Sequence, residues 1–253
     1  MNYEKVIELV KSTKAIIENE TLKADVHMKG SADFVTAVDI AISNYLKKAL
    51  FELYPDIGFF SEEEDGSLAD RCWILDPIDG TTNLVYGYNM SSVSLGLHWD
   101  GQIIFGVVYN PFSEECFTAK LGEGAFMNGK RLFVSSRPLS ESIIEFGAGS
   151  TRKGDADQSF DLGREIFKRC VDIRRICSSA LDLCFIAAGR IDGYFETKLK
   201  PWDYAAGSLI LSEAGGKTTN YDGEPIPMDV PSSIICSNGI IHDELCEIIN
   251  KYR

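Results

Sequence analysis

Trp73-Ile74-Leu75-Asp76-Pro77-Ile78-Asp79-Gly80-Thr81-Thr82-Asn83 is the stretch on which the reading of this chain turns. Its first three residues form an apolar run, which reads as a short buried strand. Asp76-Pro77 predicts the end of that strand, because proline restricts the preceding residue to extended backbone. Gly80 allows a tight turn, and Thr81-Thr82 can then open a helical turn. Unpaired N–H groups at such a helix start suit a phosphate. Two carboxylates three residues apart suit a hard cation such as Mg2+. The competing outcome is a plain strand-end turn in which Asp caps backbone amides, and for an isolated D-x-x-D-G it is the commoner one.

On the N-terminal side, Val6, Ile7, Leu9, Val10, Ile16 and Ile17 predict an amphipathic helix over 3–18. A second helix is expected from Thr36 to Leu50, capped by Asp33 or Thr36 and stopped before Pro55. Ile57 to Phe60 reads as a strand running into Ser61-Glu62-Glu63-Glu64. On the C-terminal side, Ser92 to Trp99 alternates apolar residues, and Gln102 to Tyr109 follows an Asp100-Gly101 turn. That pair predicts a β-hairpin. A strand is expected at 115–119. Further strands are expected at 143–146, from Ile173, at 193–196 and at 234–236. Helices are expected at 160–168, 180–188, 204–214 and 242–249. The mixture indicates α/β or α+β with a mixed sheet. Without repeat or low-complexity linker, residues 1–253 read as one domain in two parts, about 1–140 and 141–253.

The chain has 253 residues, 45% hydrophobic and 25% charged, which excludes intrinsic disorder. Its 22 Gly and 8 Pro show no collagen-like period. A net charge of -13 repels phosphate backbones and anionic lipid, so neither nucleic acid nor membrane is an expected partner. Lys5 and Lys11 interrupt the N-terminus, and no secretory h-region follows. The longest uncharged stretch, Gly80 to Trp99, is full of Gly, Asn, Ser and Thr and is no membrane span. The 7 Cys are scattered without a C-x-x-C pair, which predicts free buried thiols in a reducing cytoplasm. The 3 His lie outside every motif and read as surface or packing residues.

Other acids end other elements in the manner of Asp76 and Asp79. Glu62 and Glu63 follow an apolar strand, Asp39 lies on the second helix, and Trp202-Asp203 opens a later one. Each alone reads as a solvated face or a cap. Together they could line a pocket that holds two metals for phosphoryl chemistry.

Four blocks carry a resemblance: Asp33 to Asp39, Ser61-Glu62-Glu63, Trp73 to Asn83, and Trp202 to Gly216. In them the chain resembles the inositol monophosphatase family, within the Mg2+-dependent, Li+-sensitive phosphatases. The resemblance extends from about Lys29 to Gly239. It implies a layered α-β-α-β-α sandwich, commonly assembled as a homodimer, with two or three Mg2+ per site. It implies that Glu62, Asp76 and the Ile78 carbonyl hold one ion, and that Asp76, Asp79 and Asp203 hold a second. Glu63 and Asp39 would act from behind them, Asp39 by positioning Thr81. The Gly80 and Thr81 amides would hold the phosphate, and water helped by Glu62 and Thr81 would attack in line. Ser150 in Gly149-Ser150-Thr151-Arg152, Ser179, Glu196 and Lys29 match positions that face substrate or phosphate.

The sequence departs from the family pattern at Ser61, Leu84, Tyr86 and Cys177, where Gly, an aromatic, His and Gly are usual. The segment between Lys29 and Asp33 is also one residue short against some relatives. The expected activity is hydrolysis of a small polyol or sugar phosphate, first of all myo-inositol 1-phosphate. Fructose 1,6-bisphosphate and other sugar or nucleotide phosphates are the alternatives, and for them Arg152, Arg175, Lys198 and Lys200 could supply extra cationic groups. The reading from another class is a partner-binding protein on the same fold. The complete acid set argues against it, because carboxylates repel without cations. The apolar hairpin strands from Val93 to Val108 are an expected homodimer interface.

Overall fold

The computed structural model describes residues 1–30, 33–64, 66–149, 154 and 156–252, the side chains of 29, 30 and 33 excepted. The predicted first helix is two: α1 (Tyr3–Ser12) and α2 (Lys14–Ile17). They part at Thr13, whose hydroxyl donates to the Val10 carbonyl at 2.6 Å and competes with the helical ladder. A turn of helix, α3 (Glu20–Ala24), and a hairpin, β1 (Val26–Gly30) with β2 (Asp33–Thr36), follow. Thr36 then caps α4 (Ala37–Leu53), with Asp39 closing a reciprocal capping box.

The larger sheet runs β3-β4-β5-β6-β7-β8-β9. Its strands are β3 (Gly58–Ser61), β4 (Arg71–Asp79), β5 (Ser92–Trp99), β6 (Gln102–Asn110), β7 (Glu115–Lys120), β8 (Gly124–Met127) and β9 (Lys130–Arg131). A short helix, α5 (Thr81–Val85), leaves the end of β4. β3 pairs parallel with β4, and every other pair is antiparallel. The predicted hairpin is β5 and β6, turned at Asp100 and Gly101 with φ of 48° and 89°.

The second sheet runs β11-β10-β12-β14-β13. Its strands are β10 (Ile143–Phe146), β11 (Asp172–Arg174), β12 (Gly193–Leu199), β13 (Lys217–Thr219) and β14 (Ser232–Ser237). The remaining helices are α6 (Ala156–Phe167), α7 (Ser179–Ala187), α8 (Pro201–Glu213) and α9 (His242–Tyr252).

Side chains alternate across each strand, so each sheet offers two apolar faces. Trp73, Leu75, Leu95, Leu97, Phe105 and Val107 pack against Val6 and Val10 of α1 and Val38, Ile42 and Leu46 of α4. Cys72, Ile74, Val108 and Phe117 face the other way, onto α7 and α8. The same two helices receive Tyr194, Ile234 and Cys236 of the second sheet. Its far face, with Ile144, Phe146, Phe195 and Ile235, is covered by α6 and α9 through Leu162, Ile166, Leu245 and Ile249. The layers are therefore α-β-α-β-α, as the resemblance implied.

In the middle layer, α8 lies directly on the larger sheet. A Cβ on Gly106 would stand 2.8 Å from the Ala206 carbonyl oxygen, and one on its cross-strand partner Gly96 3.3 Å from the Ala206 nitrogen. The helix can come this close because neither residue carries a side chain.

Three expectations need correction. β4 continues through Asp76-Pro77 to Asp79, because the proline falls in an irregularity of the pairing between Asp76 and Asp79. α8 starts at Pro201 and not at 204, since proline suits the first turn of a helix. The hairpin strands do not offer an interface: Val93, Leu95, Leu97, Phe105, Val107 and Val108 are all buried between helices of their own chain. No helix among the described residues is long and apolar enough to cross a membrane.

Candidate active site

The irregular end of β4 aims its acids at the place where α5, α7 and α8 begin. Glu62, Asp76, Ile78, Asp79, Gly80, Thr81 and Asp203 line one cleft of about 240 Å³. The four sequence blocks thus converge although they lie far apart in the chain. Lys29 and Ser150, and with them Arg152, lie outside the residues whose side chains are described.

Asp76 is buried, and among the described residues its Oδ1 meets no hydrogen-bond partner. Burial drives its pKa well above the ordinary carboxylate range, and Glu62, Asp79, Asp203 and Asp39 push it further. Asp79 is also buried, but it is well served. Its Oδ2 accepts from the Ser178 hydroxyl at 2.6 Å and the Ala180 N–H at 2.8 Å, and its Oδ1 from the Ser179 N–H at 3.2 Å. It therefore caps α7 from another sheet. Burial pushes Asp79 up to about 6 against the pull of those donors.

Asp203 is the third residue of α8, and its Oδ2 accepts the Lys200 N–H at 2.7 Å. Burial and Asp79 raise its pKa well above the usual range. Asp39 Oδ2 accepts the Thr36 N–H at 2.8 Å and the Thr36 hydroxyl at 2.6 Å. Its Oδ1 stands 3.2 Å from the Thr81 hydroxyl, which also reaches the Ile78 carbonyl at 3.0 Å. Burial raises Asp39 to about 6.

Gly80 is the N-cap of α5 at φ 87°, a region costly for any other residue. A Cβ there would also meet the Met90 and Cys177 carbonyl oxygens at 3.0 and 3.1 Å. The Gly80 and Thr81 amides stand at the open start of that helix.

This donor set fits a hard divalent cation: carboxylates and a carbonyl, one buried carboxylate oxygen without a partner among the described residues, and mutual repulsion that a cation relieves. Among the described residues no three acidic, imidazole or thiol side chains already stand in ligating geometry.

A second cavity of about 370 Å³ opens beside the first and shares Asp79, Cys177 and Asp203 with it. It holds Ser179 and Glu196. Glu196 is buried and no surface residue: its Oε2 accepts the Tyr194 hydroxyl at 2.6 Å and its Oε1 the Gly149 N–H at 3.1 Å. Tyr194 also meets the Ser179 hydroxyl at 3.1 Å. The sequence reading missed Tyr194 and Ser178. Tyr194 stands two residues before Glu196 on the same face of β12, which is the signal that could have found it.

Cys177 takes φ 59°, so the residue standing where the family usually has Gly adopts a glycine-like backbone. It is exposed, against the expectation of buried thiols, while four of the seven free cysteines are buried. His98 and His242 are buried packing residues, and His242 bridges the Ser237 and Thr219 hydroxyls at 3.0 Å each.

The model of the inositol monophosphatase family matches residues 2–253. A Rhizobium meliloti protein named inositol-1-monophosphatase is 37% identical over 236 residues, 92% of this chain and 88% of its own. An Escherichia coli protein named Nus factor SuhB is 40% identical over 199 residues, 77% of this chain and 74% of its own. The solved structure of a Thermotoga maritima IMPase superposes with a TM-score of 0.91 at 32% identity, covering 99% of this chain and 97% of that one. A matching family model over nearly every residue, on a fold and a carboxylate cleft of this kind, places the chain in the inositol monophosphatase family of phosphatases.

Proposed function

We propose that the chain is a Mg2+-dependent phosphomonoesterase acting on a small polyol or sugar phosphate, with myo-inositol 1-phosphate the first substrate to test. The observation that carries this reading is the meeting of Glu62, Asp76, Asp79 and Asp203 with the open start of α5 in one cleft. Glu62, Asp76 and the Ile78 carbonyl would hold one Mg2+, and Asp76, Asp79 and Asp203 a second. Bound there, the ions would supply Lewis-acid activation of water and offset charge on the leaving alkoxide.

The rest falls to the chain's own groups. The Gly80 and Thr81 amides hold the phosphate oxygens. Asp39 orients the Thr81 hydroxyl, which accepts a hydrogen bond from the attacking water while the Glu62 carboxylate takes up its proton. Glu63 supports Glu62 from the next position. Ser179 and Glu196 receive hydroxyls of the leaving alcohol, with Tyr194 fixing both. Ser150 and Lys29 belong to the same reading. A homodimer does too, through surfaces other than the buried hairpin, and light scattering would test it.

Phosphate release from myo-inositol 1-phosphate, with and without Mg2+, tests the activity. Mg2+-dependent release is expected, and Asp76→Asn should abolish most of it while leaving the fold's circular dichroism intact. Turnover without added metal in chelator, or full turnover by Asp76→Asn, would refute the assignment. The name of the E. coli relative favours a second reading, a chain of this fold that works through a protein partner. Silence on a panel of phosphate esters would bring that reading forward.

A further inference from the structure

Asn83 closes the stretch that opens at Trp73, and the roles assigned above to its neighbours leave it without one. It is the third residue of α5 and lines the carboxylate cleft, with only 8% of its surface exposed. Its Nδ2 donates to the Met90 carbonyl at 2.7 Å and to the Ile176 carbonyl at 2.6 Å. Both partners are acceptors, so the NH2 end of the amide must face them, and that end has two N–H groups to give. Backbone takes up both. Asn83 therefore acts on the reaction through the segments it joins.

Those segments belong to opposite sides of the site. Met90 precedes Ser91, whose hydroxyl donates to the Gly80 carbonyl at 2.9 Å. The Asn83 N–H donates to the same carbonyl at 2.9 Å, and the Asn83 carbonyl accepts the Tyr88 N–H at 2.8 Å. This side holds the turn whose amides are offered to phosphate. Ile176 lies 93 positions further on, in the link 175–178 between β11 and α7. The link runs into Ser179 at the first position of α7, and its Arg175 and Cys177 wall the cavity of Glu196. The atoms nearest a Cβ placed on Gly80 are the Met90 and Cys177 carbonyl oxygens and Asn83 Nδ2, at 3.0, 3.1 and 3.3 Å. The bridge closes directly over the Gly80 α-carbon.

An ester that fills the site must meet the Gly80 and Thr81 amides at one end and Ser179 and Glu196 at the other. Neither sheet alone sets that distance, because one end hangs from β4 and the other from α7 and β12. Asp79 crosses the same boundary through Ser178, Ser179 and Ala180, but it is also assigned to a cation. Asn83 crosses it with backbone partners on both sides. We propose that Asn83 is a positioning residue, whose paired donation to Met90 and Ile176 fixes the spacing of the phosphate seat and the alcohol cavity, so that one ester engages both at once. This rests on the phosphomonoesterase reading above and adds a residue to it. Two seats at the right spacing bind a bifunctional ligand far better than either alone, and the gain is lost when the spacing drifts.

The test compares two esters in Mg2+ buffer. One is the polyol ester hydrolysed fastest, myo-inositol 1-phosphate first. The other is p-nitrophenyl phosphate, whose leaving group brings no hydroxyl to Ser179 or Glu196. Asn83→Ala should lower kcat/KM for the polyol ester by roughly tenfold or more and that for p-nitrophenyl phosphate much less, with inhibition by inorganic phosphate nearly unchanged. Asn83→Leu, which keeps the bulk and loses both donors, should shift the ratio of the two esters as the alanine variant does. Equal losses on both esters would mark a merely structural residue, and a wild-type ratio in Asn83→Leu would show that packing suffices. Either result overturns the proposal, as does an alanine variant with unchanged kinetics. Asn83→Ser, with one hydroxyl donor, carries the same comparison if the alanine variant does not fold. If no ester is hydrolysed, the activity reading fails by itself, and calorimetry decides the spacing. The wild-type protein with Mg2+ should then bind myo-inositol 1-phosphate more tightly than inorganic phosphate, and Asn83→Ala should remove the difference. A difference that persists in the variant, or is absent from the wild type, refutes the role of Asn83.

Discussion

Asp76 and Asp79 share a strand and differ in their company. Asp79 satisfies three donors at the start of α7, whereas Asp76 keeps a buried oxygen that no donor meets among the described residues. Asparagine at 79 weakens or reverses hydrogen bonds that a carboxylate accepts, so Asp79→Asn is expected to lose about 1–3 kcal/mol of stability along with activity. Asparagine at 76 removes a crowded buried charge, so Asp76→Asn should keep or gain stability in metal-free buffer. Urea unfolding of both variants decides, and the opposite order would refute this division of roles. The motif made both residues legible as a pair. Their different duties were not legible, because Ser178 lies 99 positions from Asp79 and only the fold brings them together. The Gly80 turn and the Cys177 departure were visible as residues, while the positive φ at 177 needed the backbone.

At the scale of elements, the approach of α8 to Gly96 and Gly106 fixes where Asp203 stands. Gly106→Ala would force a methyl group to within 2.8 Å of the Ala206 carbonyl oxygen, and helix or sheet must shift. A loss of about 1–3 kcal/mol is expected in thermal or urea unfolding, with reduced phosphate release because Asp203 moves with the helix. Unchanged stability would show that the contact relaxes freely. Long periodic elements were readable: α4, α7, α9 and the β5–β6 hairpin fall within a few residues of their predicted limits. The hairpin β1–β2, the strands β8, β9 and β13, and the helix α3 were not. They are two to five residues long, too short for a period to emerge, and pairing partners define most of them. The proline in β4 misled for a physical reason, since a bulge tolerates what a regular ladder would reject.

Over the whole molecule, the buried carboxylates set a dependence on pH. Asp39 and Asp79 are raised to about 6, and Asp76 and Asp203 are raised as well. A raised carboxylate binds its proton more tightly in the folded chain than in the unfolded one. Its contribution to stability is present below the unfolded pKa, near 4, and is lost as pH rises through about 6. A cation that binds the ionised native cluster reverses that loss. Mg2+ should therefore raise the melting temperature more at pH 7.5 than at pH 5.5, where protons compete for the same oxygens. An equal or larger shift at pH 5.5 would contradict the assignment of these acids to the cation. Glu145, buried in β10 and pushed up to about 7 by burial, adds to the same slope, and no motif announced it. The layered architecture itself came from resemblance, since periodicity alone reached only a mixed sheet with helices. A lineage that gave up hydrolysis could let Asp76 drift, because no donor in the described chain relies on it. It could not release Asp79 as freely, for α7 would lose its acceptor. Degenerate descendants of this fold should keep the second aspartate of D-P-I-D after the first has gone, and a sequence with that signature would mark an inherited scaffold whose chemistry has lapsed.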